Sequence, residues 1–438
     1  MTDLFAARSQ MAISLAFHIV FAAIGIGMPL LMVLSEAMWL RTRDAVWLEI
    51  THAWARGVAV FFAVGAVSGT VLSFELGLLW PRFMEYAGPI IGMPFSLEGF
   101  AFFTEAIFLG IYLYGWNRVS PRAHWWAGVA VAVSGAASAL FVLAVNGWMN
   151  APLGFTHAPG GPVDIDPIRA MQNPFWIANT VHMLIAAVVA TAFGAAGIHA
   201  YMLLRDRAHP FHRRALGLCL VVGGLAAVAQ PLSGDFTARV VAEHQPIKFA
   251  AMEGHFETES CAPLNIGGWP DLEARETRFA LRVPCALSFL AAHDPQAVVV
   301  GLNDFPADEV PDPRVVHVAF QIMVACGMAL LALAAFAGIH ALRRRSIPTQ
   351  RRFLQLLVLA APLGFIAIEA GWTVTEVGRQ PWIIYGIMRT AEAVTPMPGL
   401  VVPFTVFTLL YVLLSVVVAV VIRRQVRATR ARDIPAHE

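Results

Sequence analysis

The stretch LVVPFTVFTLLYVLLSVVVAVVIRR, residues 400–424, runs for 23 residues without a charge before it reaches two arginines. About 20 such residues carry a helix across the hydrocarbon core of a bilayer, so residues 400–422 are predicted to span a membrane. Eight more segments read the same way, at approximately 11–36, 57–80, 96–116, 124–148, 175–203, 213–234, 314–342 and 353–373. Composition agrees: hydrophobic residues make up 58% of the chain and charged residues 13%, where a soluble domain carries about 25% charged residues. The chain is therefore expected to be an all-α polytopic membrane protein with about nine transmembrane helices. Its net charge of +1 hides opposite charges in different loops, and nothing points to a nucleic-acid partner.

The arginines set an expected orientation. Arg41 and Arg43 follow the first span, Arg118 and Arg122 the third, Arg205, Arg207, Arg213 and Arg214 the fifth, and Arg343, Arg344, Arg345, Arg351 and Arg352 the seventh. The tail adds Arg423, Arg424, Arg427, Arg430 and Arg432, whereas the alternate loops hold few. The positive-inside bias then puts the N-terminus outside and the C-terminus in the cytoplasm. MTDLFAARSQ, residues 1–10, lacks the basic start and cleavage site of a signal peptide, so the first apolar run is expected to remain as a span.

Three parts follow: six helices over 1–234, a long outward loop over 235–313, and three helices with a cytoplasmic tail over 314–438. Long loops of this kind are usually functional. Cys261 and Cys285 flank a polar part of the loop and are able to pair in an oxidising compartment; Cys219 and Cys326 lie in apolar runs, and no C-x-x-C spacing suggests a metal cluster. The loop also holds QPIKFAAMEGHFET, residues 245–258, whose Lys248 is the only lysine in the chain. Every other basic side chain is arginine, so this position is read as needing a compact ammonium whose pKa moves on burial.

Ionisable groups inside spans cost about 2.5–3.5 kcal/mol each and mark function by default. His18, Glu75, Glu98, Glu105, His182 and Glu376 all fall in the outer halves of their spans or just beyond them, as does Met323, at a level about 10 Å below the outer surface. Histidine and methionine are axial ligands of low-spin haem, and no C-x-x-C-H attachment motif is present, so His182 and Met323 are candidates for one non-covalently bound haem iron. Taken singly, each is more often a packing residue. Glu98 and Glu105 in SLEGFAFFTEA are seven residues apart on one helix face, suited to ligating iron, relaying protons or binding a cation. Glu376 in EVGRQPW has Arg379 as a nearby counter-charge, which fits a functional carboxylate or a structural ion pair equally.

With these motifs in order along nearly the whole chain, the sequence resembles subunit I of the cytochrome bd-type quinol oxidases. The likeness rests on FHIVF around His18, SLEGFAFFTEA, VLAVNGWMN, the span of His182, GDFTARVVAEHQPIKFAAMEGHFET, FQIM around Met323, and GWTVTEVGRQPW. The resemblance implies that His182 and Met323 ligate a low-spin haem b. It implies that His18 and Glu376 ligate two high-spin haems, one haem b and the other haem d or a further haem b, with Trp372 beside the cofactors. Glu98 and Glu105 are implied to stand on a proton path, and Arg379 beside the haem site. Lys248 and Glu253 are implied to belong to the loop that oxidises quinol. Implied too are electron delivery to O2, a second membrane subunit, a very small third one, ubiquinol or menaquinol as substrate, and the bacterial inner membrane as location.

The chain departs from some relatives in its short loop, as in the cyanide-insensitive branch, and in Gln321, where some have arginine two residues before the haem methionine. Loss of that cation is expected to lower the potential of the adjacent haem. Two rival readings of the same residues are a haem-b electron-transfer subunit of a quinone-linked dehydrogenase and a haem-free ion or metal transporter.

Overall fold

A computed structural model describes residues 2–431; Met1, residues 432–438 and the side chains of 427–431 lie outside the description, and with them the side chains of Arg427, Arg430 and Arg432. Among the described residues nine helical segments are long and apolar enough to cross a membrane. They comprise α1 (Asp3–Thr42), α2 (Ala45–Leu79), α3 (Pro81–Tyr114), α4 (Pro121–Asn150), α5 (Phe175–Leu203), α6 (Pro210–His244), α8 (Pro313–Arg344), the broken pair α9 (Arg351–Ala360) and α10 (Leu363–Val377), and α11 (Val401–Ala431). Between α6 and α8 lies the loop helix α7 (Pro246–Glu253).

Local sequence explains the ends. Proline occupies the first turn of α3, α4, α6, α7 and α8, where its missing N–H costs nothing because those donors have no intrahelical partner. Asp44 and Asp312 cap α2 and α8 by accepting the backbone N–H of Val46 and Arg314. Pro362 between α9 and α10 breaks the eighth span.

Several helices outrun their apolar windows. α3 begins at Pro81, not near residue 96, so Glu98 lies about 25 Å along its helix rather than at its opening. α1 likewise starts at Asp3, with Thr2 as its cap, well ahead of residue 11. Hydropathy marks only the part of a helix that meets hydrocarbon, whereas caps mark where the backbone bonds begin.

Antiparallel neighbours α1/α2, α3/α4 and α5/α6 pack through short connections, and α8 packs on α10. The largest buried cluster, including Leu31, Trp54, Phe193, Leu203, Phe211 and Leu357, draws on α1, α2, α5, α6 and α9. α2 and α11 leave most of their apolar surface outside the fold.

The α6–α8 loop is a small folded cap. Leu264–Ile266 pairs with Leu281–Val283, Trp269–Asp271 with Glu276–Arg278, and Glu259–Ser260 with Val298–Val299. Cys261 and Cys285 form a disulfide across 24 residues. His317 of α8 is bonded through Nδ1 to the Met252 carbonyl and through Nε2 to the Gly267 carbonyl, both at 2.9 Å, and clamps the cap to the bundle.

Closing a loop of this length is worth roughly 3 kcal/mol through the unfolded state. Cys261→Ser is therefore expected to speed proteolysis and amide exchange between residues 259 and 299 while leaving the nine spans protected. Hydrogen-exchange mass spectrometry with and without reductant checks this.

Candidate functional site

α7 carries Lys248 and Glu253, and every residue from Ile247 to Glu253 is buried. It is held from three sides. Gln245 Nε2 donates to the Asn150 carbonyl at 2.6 Å, Asn265 Nδ2 donates to the carbonyls of Glu253 and Gly254, and His317 reaches Met252. Gly254, with φ of 61°, ends the helix in the left-handed region that only glycine adopts without cost.

Beneath α7 lies a cavity of about 690 Å3, mostly apolar, that opens between α5, α6, α8 and α10. His182, Met323, Trp372, Lys248, Glu253 and Gln321 all line it. Ser233 Oγ lies 3.0 Å from His182 Nδ1, and Gln230 Nε2 lies 3.2 Å from each ring nitrogen, so α6 orients the imidazole. Opposite, Met323 Sδ approaches Gly371 so closely that a Cβ there would stand 3.0 Å from the sulfur. Gln321 does other work than a cation would: its Nε2 donates to the Asn265 carbonyl and its Oε1 accepts from Gly267 N–H, fastening the cap to α8.

Lys248 is 3% exposed and its ammonium donates to Asn150 Oδ1. From there a hydrogen-bonded chain continues. Asn150 Nδ2 reaches the carbonyl and Oδ1 of Asn146, Asn146 Nδ2 donates to Glu376 Oε1 at 2.7 Å, and Arg379 Nη2 donates to Glu376 Oε2 at 2.6 Å. The lysine stem passes Gly378, where a Cβ would stand 3.0 Å from its Cγ. Burial, with a smaller push from the Arg379 cation, holds the Lys248 amine well below the usual lysine range, against the pull of the Glu376 carboxylate. Burial raises the Glu253 carboxyl to about 8.

The other sequence candidates lie apart from this cavity. His18 on α1 bonds Ser68 Oγ at 3.0 Å and packs on Gly69 of α2. Glu98 accepts from Ser138 Oγ at 3.1 Å, and Glu105, also buried, faces Gly135 one turn along α4. Glu75 accepts from Gln10 and Ser14. Trp372 lies between: it lines the cavity and packs against the cluster of Ile19, Ala23, Ala187, Ala190 and Ile368, next to the helix of His18.

The family model of cytochrome bd terminal oxidase subunit I matches residues 6–430. The chain belongs to that family.

A Bacillus subtilis (strain 168) protein named for a cytochrome bd menaquinol oxidase subunit I is 38% identical over 429 residues, covering 96% of each chain. The cytochrome bd-II ubiquinol oxidase subunit 1 of Escherichia coli (strain K12) is 30% identical over 461 residues, covering 88% of each. Among solved structures, the bd oxidase from Geobacillus thermodenitrificans superposes with a TM-score of 0.92 at 41% identity, over 98% of this chain and 99% of that one. Members of the bd oxidase family oxidise quinol, reduce O2 and work with a subunit II. This chain is thus part of a membrane-bound oxidoreductase, and haem is the family's cofactor.

The bd-family site fits haem on its own terms. The cavity is apolar and of a size that holds a cofactor, and it has a histidine and a methionine on facing helices. Nearby, Arg379 Nε and Nη1 are buried without partners among the described residues, which suits an incoming anionic group such as a haem carboxylate. Both carboxyl oxygens of Glu253 are likewise buried and unpartnered.

Sequence reading assigned no role to Asn146 and Asn150, although two asparagines four residues apart in apolar VLAVNGWMN lie on one helix face. It also passed over Glu36, which is fully buried, accepts from the Tyr112 hydroxyl at 2.7 Å and bonds His124 Nδ1 at 2.7 Å. Tyr112 lies seven residues beyond Glu105, on the stripe already marked by Glu98.

Replacing Asn150 by leucine leaves a buried amine without an acceptor. Asn150→Leu is expected to cost about 2 kcal/mol, seen as a lower thermal midpoint, and Lys248→Met in the same chain is expected to recover most of it. A double variant no more stable than the single one would show that the pair is not coupled.

Proposed function

We propose that this chain is the electron-entry and oxygen-reducing subunit of a bd-type quinol oxidase, lying in the bacterial inner membrane with its N-terminus and α6–α8 cap outside. The observation that supports it most is one apolar cavity with His182, Met323, Lys248 and the unpartnered carboxyl of Glu253 all in its walls. His182 and Met323 would hold a low-spin haem b. His18 and Glu376 would hold two high-spin haems, one of type b and the other of type d or again b. When bound, haem would supply the one-electron chemistry that links quinol oxidation to O2 reduction.

The side chains do the rest. Burial holds the Lys248 amine well below the usual lysine range and raises the Glu253 carboxyl to about 8, so that Glu253, once ionised, accepts a proton from a quinol hydroxyl while Lys248 offers the quinol head a hydrogen-bonding partner. Oxidation of two quinols releases four electrons and four protons; the electrons reduce one O2 to two waters with four protons drawn from the other side. Proton release outside and uptake inside separate charge without a pump. Asn150, Asn146 and Arg379 hold the Glu376 carboxylate in place, and Glu98 and Glu105 relay protons inward. Subunit II, and a very small third subunit, complete the complex, with ubiquinol or menaquinol as donor.

The test is a dithionite-reduced minus oxidised spectrum of the purified complex. His182→Ala and Met323→Leu are each expected to lose the low-spin haem band and keep the others; an unchanged spectrum refutes the ligand pair.

pH supplies a second check. Glu253 accepts a proton only once ionised, and its carboxyl titrates near 8, so kcat/KM for quinol is expected to rise from neutral pH and level off above about 8. Glu253→Gln is expected to flatten that rise. The same shift works against folding. Between about 4.5, where the unfolded carboxyl ionises, and about 8, the native state holds the extra proton, and its contribution to stability falls as pH rises.

A further inference from the structure

At the end of the bundle opposite the cap, a groove of about 1000 Å3 runs between α1, α2, α5, α9 and α11. Its walls are apolar, with Phe17, Phe21 and Phe61 on one side and Val418 and Ile422 on the other. From Ser415 to Val426 it extends about 16 Å along α11, close to half the hydrocarbon thickness of a bilayer. The polar side chains of this lining include two guanidinium groups, Arg205 just after α5 and Arg423 near the end of α11. The Arg205 Nη2 donates to the Tyr201 hydroxyl at 2.7 Å, with the guanidinium 5.0 Å from that ring centre. Among the described residues, neither arginine forms an ion pair with a carboxylate. The Ser415 hydroxyl is spent on the Tyr411 carbonyl, so below the mouth the groove offers little to a polar ligand.

We propose that this groove is a binding site for one anionic phospholipid, with its phosphate between Arg205 and Arg423 and an acyl chain lying along α1 and α11. Two guanidinium groups match phosphate oxygens through paired N–H donors, whereas a neutral quinone head or an apolar helix leaves both cations unanswered. Basic pockets between transmembrane helices at the arginine-rich side of a membrane are suited to such headgroups. The groove is one leaflet deep, as a single lipid requires. It lies away from the cavity of His182 and Met323 and shares no residue with it.

The experiment is native mass spectrometry of the full detergent-purified complex, titrated with phosphatidylglycerol or phosphatidylcholine. The wild type is expected to retain phosphatidylglycerol about 30-fold more strongly, equivalent to about 1 kcal/mol for each arginine. Arg205→Gln with Arg423→Gln is expected to abolish that preference, while Arg343→Gln with Arg344→Gln leaves it intact. Ala419→Phe, which fills the apolar part and keeps both arginines, is expected to release the lipid too. Equal retention of the two lipids, displacement of phosphatidylglycerol by a neutral quinone, or undiminished binding by the Arg205/Arg423 double variant overturns the proposal.

Discussion

One buried cation organises the outer half of the molecule. The Lys248 ammonium, removed from water, needs an acceptor, and Asn150 is the one it has. Together with the bond from Gln245 to the Asn150 carbonyl, this bond joins the extramembrane cap to α4, and through Asn146 it reaches Glu376 on α10. Arginine cannot take its place. A planar guanidinium presents five donors and resists neutralisation, whereas a single acceptor, Asn150 Oδ1, waits at the end of the lysine stem. The composition that replaces lysine everywhere else thus keeps it where a small, deprotonatable head is required.

Much of this was legible beforehand, and the reasons differ by level. Nine spans follow from hydropathy because lipid leaves the backbone no choice but helix. The family followed from long motifs whose order is fixed. Depth was read less well. The apolar window begins near Glu98, while α3 begins at Pro81, about four turns earlier, with proline in its first turn. The roles of Asn146, Asn150 and Gln230 were not legible, since amides in apolar segments acquire meaning only from partners on other helices. Pairing of Cys261 with Cys285 was open in the sequence and is present in the fold, because the paired strands Leu264–Ile266 and Leu281–Val283 bring the two residues together.

The site candidates divide into two neighbourhoods rather than one. Lys248, Glu253, His182, Met323 and Trp372 share a cavity; His18, Glu98 and Glu105 belong to the α1–α4 side. Glu376 is tied to Lys248 at the cavity by way of its asparagine chain. Trp372, lining the cavity and packed against the α1 cluster, is the side chain at the partition between them.

Gln321 shows how one substitution redistributes duties. An arginine two residues before Met323 would place a fixed cation over the cavity and favour the reduced, more negative state of a haem bound there. Glutamine gives up that field, and its amide is used in full by the cap: Nε2 on the Asn265 carbonyl, Oε1 on the Gly267 amide. His317, four residues earlier on the same face of α8, holds the other edge at Met252 and Gly267. In this chain, then, α8 grips the loop with neutral and backbone-directed bonds. The cation beyond the end of α10, Arg379, is bonded to the Glu376 carboxylate, so its charge acts first on that group.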